Sequence, residues 1–431
     1  MDRVLIRGGR VLDPAGERDE IADVLLEGGR IAAVGPHLEA VGAAVVEAAG
    51  RWVAPGFVDL HAHLREPGQE YKEDIASGGR AAVAGGFTAV ACMANTQPAN
   101  DDPSVTDYVL DRARQDSPAR VYPIAAATKG LAGEVMTEMA ALVRAGAVGF
   151  SDDGKTIMDG GVMRRVLEYS RLVDAPVIVH AEDRTLVRDG VVNEGPVSTR
   201  LGLPGNPAVA EAVHVARDLL LAELTGAHLH VAHVSTAAAV ELIRRARERG
   251  IHVTAEVTPH HLTLTDEETL GYDTNTKVAP PLRSAADMQA CRRALADGTL
   301  DAVATDHAPH AVHEKEVEFT AAPPGLIGLE TALAVVLDLV RAGEIAPLEL
   351  VRRLSSNPAR ILRRPGGSLA PGTVADLVLV DPELRWTYEP TKGWSKSRNS
   401  PWAGRTLQGR AVATWVEGRL VYDVERGVLA P

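Results

Sequence analysis

The chain has 431 residues, 45% of them hydrophobic and 24% charged, which is ample for a sizeable core and ordinary for a soluble globular protein. Its formal net charge of -13 excludes the basic footprint of a nucleic-acid binder and leaves recognition of any acidic substrate to local basic side chains. Two cysteines, Cys92 and Cys291, can build neither a disulfide framework nor a cysteine-rich metal site, and they fit a reducing compartment.

In chain order, the N-terminus reads as a strand and a turn without the apolar core of a signal peptide, so a cytoplasmic protein is expected. Short β-rich runs at 4–6, 22–26 and 31–34, separated by glycine turns, predict a small antiparallel sheet. The same texture returns at 375–380 and 411–416, and neither end has enough strands to fold alone. Both ends are therefore expected to join in one accessory β-sandwich domain, residues 1–53 and 365–431.

Between them, over 54–364, short apolar runs (175–179, 229–232, 301–304) alternate with amphipathic helical patterns at 208–225 and 237–249. Such alternation predicts a (β/α)8 TIM barrel, with a doubly wound open sheet as the alternative. The longest apolar run, 326–340, is interrupted by Glu330 and Asp338, so a buried helix is expected there and no membrane span. Residues 311–323 are charged and turn-like, the composition of a lid or of a passive surface loop.

The histidines and aspartates carry the chemistry. His61 and His63 end the run 52–58, His180 ends 177–179, His233 ends 229–232, and Asp306 follows 302–304. A barrel delivers its strand ends to one mouth, where barrel active sites lie. In His61-x-His63, the period of a strand points both imidazoles to one face as a natural chelate. One strand-end histidine alone is ordinarily a satisfied core residue; four with a strand-end carboxylate make a donor set suited to Zn2+ and similar ions.

The motifs Asp59-Leu60-His61-Ala62-His63-Leu64-Arg65-Glu66-Pro67-Gly68, Ala94-Asn95-Thr96, Phe150-Ser151-Asp152-Asp153-Gly154, Val179-His180-Ala181-Glu182, His230-Val231-Ala232-His233 and Thr305-Asp306-His307-Ala308-Pro309-His310 together resemble the amidohydrolase superfamily, and within it the class I dihydroorotases. The resemblance implies hydrolysis of the cyclic amide of dihydroorotate to N-carbamoyl-aspartate, reversibly, in de novo pyrimidine biosynthesis. It implies two Zn2+ ions, one held by His61, His63 and Asp306 and the other by His180 and His233, with Asp153 bridging them. Hydantoinases and allantoinases of the superfamily place a carboxylated lysine at the bridge; here the nearest lysine, Lys155, lies two residues beyond Asp153.

The resemblance further implies that Asp306 is the catalytic general base and acid. It assigns the substrate to His63, Arg65, Asn95 and His310 and to the backbone of Pro324 and Gly325. Two positions depart from the family. Ala279 stands where asparagine is common, and Pro324-Gly325 replaces a frequent Phe-Gly pair. His260 and His261 read as structural. Expected partners are a small-molecule substrate, further copies of the chain as a homo-oligomer, and aspartate transcarbamoylase, the last also in the rival role of a non-catalytic support. No nucleic acid and no membrane are expected.

Overall fold

The computed structural model describes residues 3–429. Eight strands, Phe57–Ala62, Phe87–Cys92, Arg120–Ala125, Gly149–Phe150, Val177–Val179, Leu229–Val231, Val253–Val257 and Ala302–Val303, pair in that order, each parallel to the one before. A parallel bridge between Ala62 and His307, with the His63 amide donating to the His307 carbonyl at 2.8 Å, links the last strand's exit to the first. A principal helix follows each strand, from Ile75–Ala84 to Ala332–Arg341. This is the (β/α)8 barrel, and its sequential parallel pairing excludes the doubly wound order.

The helices form because caps and apolar spacing agree. In Ala237–Glu248 the Thr236 hydroxyl accepts the Ala239 amide, and Ala239, Val240, Ile243 and Ala246 bury one face. In Ile75–Ala84 the Asp74 carboxylate accepts the Ser77 amide while the Ser77 hydroxyl accepts that of Asp74. These faces pack on Val90, Val121, Val231, Val257 and their neighbours to make the layer between barrel and helices.

Both chain ends share one nine-stranded sheet, in which Trp52–Pro55 lies between Val4–Asp13 and Leu377–Thr387. The sheet is mixed, where the sequence suggested a purely antiparallel one: Ala44–Glu47 and Trp52–Pro55 both run parallel to Val4–Asp13. Trp52–Pro55 continues Ala44–Glu47 along the same edge of Val4–Asp13, the former opposite Arg10 and Val11 and the latter opposite Val4 to Arg7. It rolls on itself, so that the Gly29 carbonyl accepts the Ala375 amide and the Ala375 carbonyl accepts that of Gly418. Ile6, Val24, Leu26, Leu379 and Trp415, from strands far apart in the order, thereby share one core.

The run 52–58 is two strands, not one. The chain leaves the outer sheet at Pro55 and enters the barrel at Phe57. Gly56 makes the passage, since a Cβ there would lie 2.3 Å from the Thr88 side chain. Another expectation is corrected at 326–340: the helix begins only at Ala332. The stretch before it is a bridge at Leu326 followed by a turn over 329–331, because its backbone is already engaged. Leu326 bridges to His307, the Ile327 amide donates to the Asn399 carbonyl, and the Gly328 amide donates to His307 Nδ1.

Candidate metal centre

Asp59, His61 and His63 alternate along and just beyond the first barrel strand, and all three are buried. Asp59 is fastened to the end of the eighth strand, accepting the Thr305 amide at 2.9 Å and its hydroxyl at 2.5 Å. Burial pushes its carboxyl up to about 7 although those donors oppose the shift. Asp59 is thus a structural stitch across the closing seam. His63 Nε2 lies 3.2 Å from Asp306 Oδ1 and 3.5 Å from Asp153 Oδ2, while His61 Nε2 lies 3.4 Å from Asp153 Oδ1 and 3.6 Å from Asp306 Oδ1.

From the other side of the mouth, His233 Nε2 and His180 Nδ1 approach Asp153 Oδ1 at 3.6 and 3.5 Å. All six side chains named from the motifs therefore meet in one buried cluster. His233 and Asp306 hold backbone φ of 34° and 46°, left-handed conformations that cost about 1–3 kcal/mol in residues with a side chain. They stand two and three residues past the strands Leu229–Val231 and Ala302–Val303, and the turn there aims each side chain toward the shared centre.

Three second partners fix the imidazoles. His61 Nδ1 faces Glu256 Oε1 at 3.0 Å, His63 Nδ1 faces Asn95 Oδ1 at 2.8 Å, and His180 Nε2 faces Glu182 Oε2 at 2.7 Å. An acceptor on one ring nitrogen holds the proton there and leaves the other nitrogen as a lone pair. His61 Nε2, His233 Nε2 and Asp153 Oδ1 are buried without any hydrogen-bond partner. Orphaned buried donor atoms that converge are what a cation would satisfy.

Two triads, His61 with Asp153 and His233, and His61 with His63 and Asp306, have their ligand atoms within 4.8 Å of one another. His61 belongs to both, and His180 to neither. Electrostatics agree with a cation site. Burial opposes charge on His61, yet Asp153, Glu256 and Asp306 hold its imidazolium well above the usual histidine range. His180 is likewise held up to about 10 against burial by Asp153 and Glu182. Asp153 itself is held well below the carboxylate range, against burial, by His61, His180 and His233. The carboxylates that favour positive charge on these rings would equally favour a divalent ion among them.

Beside this centre, the Arg65 guanidinium is buried, its Nε donating to the Pro309 carbonyl at 3.2 Å and its Nη2 3.5 Å from His310 Nε2. Asn95 uses its carbonyl oxygen on His63. The Pro324 carbonyl accepts from His310 Nε2 at 3.0 Å, and the Gly325 amide donates to the Lys277 carbonyl at 2.8 Å. A cavity of about 260 Å3 opens here, lined by Thr274, His310, Lys315 and Asn399 among others. The stretch 311–323 contains a short helix, Val312–Lys315. Lys277 Nζ donates to the Phe319 and Thr320 carbonyls and Lys315 Nζ to those of Pro323 and Gly325, so this stretch is tied down at several points.

Sequence reasoning passed over Glu256 and Glu182. Glu256 had a signal, since a carboxylate in the apolar run Val253-Thr254-Ala255-Glu256-Val257 must find a partner when buried. His260 is buried with both ring nitrogens unpartnered, and His261 hydrogen-bonds Thr258 and the Pro280 carbonyl. Lys155 is exposed.

A parallel barrel whose mouth gathers imidazoles and carboxylates from separate strand ends defines the amidohydrolase class. The family model described as Dihydro-orotase-like matches residues 50–239. The chain is 53% identical to the dihydroorotase of Syntrophotalea carbinolica over 97% of its own length and 99% of that protein. It is 54% identical to that of Anaeromyxobacter dehalogenans strain 2CP-C, over 98% of both. Among solved structures, L-hydantoinase (dihydropyrimidinase) from Arthrobacter aurescens superposes with a TM-score of 0.89 at 25% identity, covering 100% of this chain and 98% of that one. Within the amidohydrolase superfamily, this chain belongs to the dihydroorotase family. No helix among the described residues is long and apolar enough to cross a membrane.

Proposed function

We propose that the chain is a dihydroorotase, hydrolysing the ring amide of dihydroorotate to N-carbamoyl-aspartate and catalysing the reverse closure, with two Zn2+ ions in the cluster. His61, His63, Asp153, His180, His233 and Asp306 would hold the ions, Asp153 lying between them. When bound, the ions supply Lewis acidity and a hydrolytic water that ionises near neutral pH. Asp306, kept ionised below the usual carboxylate range by His63 and His61 despite burial, accepts the proton of the attacking water and returns it to the departing ring nitrogen.

Arg65 presents its remaining donors to the substrate carboxylate as a fork. The Asn95 amide NH2, left free by the carbonyl's bond to His63, supports the same group with His310. Pro324 and Gly325 form the wall on which the ring rests. Ala279 contributes no side-chain hydrogen bond, so ring recognition falls more heavily on these groups.

The observation that carries this reading is Asp153, whose Oδ1 lies within 3.6 Å of His61, His180 and His233, while the neighbouring Lys155 faces solvent. The names of relatives more than 50% identical over nearly the whole chain support it. A hydantoinase-type amidase is the second reading, favoured by the likeness to solved hydantoinases. We further propose cytoplasmic work as a homo-oligomer, alone or beside aspartate transcarbamoylase.

The test is metal analysis of the purified protein together with turnover of dihydroorotate, hydantoin and allantoin. Dihydroorotate as the preferred substrate, with loss of turnover on chelation and recovery on adding Zn2+, is expected. Faster turnover of hydantoin would replace the first reading with the second.

A further inference from the structure

Asn399 lies in the segment that leads into the outer-sheet strand Thr406–Val416, yet its side chain is buried in the wall of the barrel mouth. Two stretches of backbone meet there. Residues 307–310 follow the eighth strand, and residues 324–327 run parallel beside them, with the Ala308 amide donating to the Leu326 carbonyl at 2.8 Å. The first stretch carries His310 and the second carries Pro324 and Gly325.

The Asn399 carboxamide bonds to both. Its Nδ2 donates to the Ala308 and Gly325 carbonyls, each at 3.0 Å, and its Oδ1 accepts the His310 amide at 3.1 Å. The Asn399 carbonyl accepts the Ile327 amide at 2.9 Å. Two acceptors facing one end of the carboxamide and a donor facing the other fix which way it points. An asparagine offers two donors and an acceptor in one plane, whereas an ionised aspartate of the same size would set an oxygen against both carbonyls.

The two stretches approach closely. A Cβ on Gly325 would lie 2.8 Å from Ala308 Cβ and 3.1 Å from His310 Nε2, and its φ of 136° suits glycine. Lys277 and Lys315 hold Gly325 from the other side, through its amide and its carbonyl. Among the described residues, Asn399 is the one side chain bonded both to Gly325 and to the main chain of His310. None of these bonds reaches the six residues of the metal cluster. The segment has other anchors, since the Trp394 amide donates to Glu330 at 2.9 Å and the Ser397 hydroxyl to the Lys72 carbonyl at 2.7 Å.

We infer that Asn399 is a positioning residue that sets His310 against the Pro324–Gly325 wall, and so governs how tightly the ring substrate is held without entering the metal chemistry. The inference rests on the placing of substrate at His310, Pro324 and Gly325 proposed above.

The test measures Asn399→Ala and, as a control on the same segment, Ser397→Ala in the zinc-loaded full chain. Asn399→Ala is expected to raise KM for dihydroorotate about tenfold, with kcat within about twofold of wild type and zinc content unchanged. Ser397→Ala is expected to leave KM unchanged. If Asn399→Ala fails to fold, Asn399→Asp, which keeps the size but lacks donors for the two carbonyls, carries the same expectation. An unchanged KM in the folded variant, an equal rise in Ser397→Ala, or a fall in kcat that tracks lost zinc would overturn the inference. A wild type without turnover of dihydroorotate faults the proposed function instead. The inference is then read from the His310 ring signals in proton–carbon correlation spectra, identified by their loss in His310→Gln. Asn399→Ala is expected to move those signals and Ser397→Ala to leave them in place; unmoved signals in Asn399→Ala would overturn it.

Discussion

Glu256 reaches across the barrel lumen to within 3.0 Å of His61 Nδ1, joining the seventh strand to the first. The same carboxylate lies 3.1 Å from His230 Nε2. His61 is thereby held with its proton on Nδ1 and its Nε2 turned toward Asp153 and Asp306. Glu256 touches no position that substrate would occupy, so its contribution passes through the metal centre.

Replacing Glu256 with glutamine keeps the shape but removes the charge that fixes the tautomer. Outer partners of metal-bound imidazoles typically change affinity or activity by about 10–100-fold. E256Q is therefore expected to lose zinc to a competing chelator at concentrations about 10–100-fold lower than wild type does. Identical chelator titrations for the two proteins would show that His61 is oriented by its packing alone.

Asp306 makes a different prediction, because it combines a ligand's position with a proton carrier's. Asp306→Asn is expected to lower kcat on the order of 10²–10⁴-fold while the substituted protein retains measurable metal. Metal content and steady-state kinetics on the same preparation separate the two roles. If kcat falls only in proportion to lost zinc, the proton-transfer role is removed.

How much of this was legible in the sequence depended on whether a local pattern decided the outcome. Strand-end placement of His61, His63, His180, His233 and Asp306 was readable, because strand period and barrel architecture act within a few residues. The late start of helix Ala332–Arg341 was not. The residues before it satisfy periodicity, but their amides serve His307 and Asn399, which are distant in the chain. Asn95 illustrates a middle case: its motif drew attention, whereas its bond to His63 needed the fold to bring the two loops together.

Arg65 is buried, and burial opposes its charge while Asp306 and Asp153 support it. A guanidinium held out of water with donors to spare is poised for an anionic ligand, and its planar fork is not reproduced by lysine. Both Arg65→Met and Arg65→Lys are expected to raise KM for dihydroorotate at least tenfold, equivalent to about 1.4 kcal/mol or more, with Lys the milder. Initial-rate measurements over a wide substrate range test this. An unchanged KM in Arg65→Met would place the carboxylate elsewhere.

The far end of the lumen offers a prediction about acid stability. His228 stacks on His252 with ring centroids 4.2 Å apart, and its Nε2 lies 2.8 Å from Thr254 Oγ1, which lies 2.8 Å from His230 Nδ1. Thr254 Oγ1 thus joins the two rings, accepting a hydrogen bond from one and donating to the other. Burial, then the neighbouring His252 and His230, lower the His228 pKa from the ordinary 6.5 to about 3. In that window the unfolded chain binds a proton that the folded chain does not, so stability falls as pH falls, by up to about 1.4 kcal/mol per pH unit for one group. His228→Gln retains a donor for Thr254 but cannot titrate. Urea unfolding of the chelated protein at pH 6.5, 5.5 and 4.5 is expected to show a shallower loss of stability for His228→Gln than for wild type. Parallel curves for the two proteins would assign acid sensitivity to other groups.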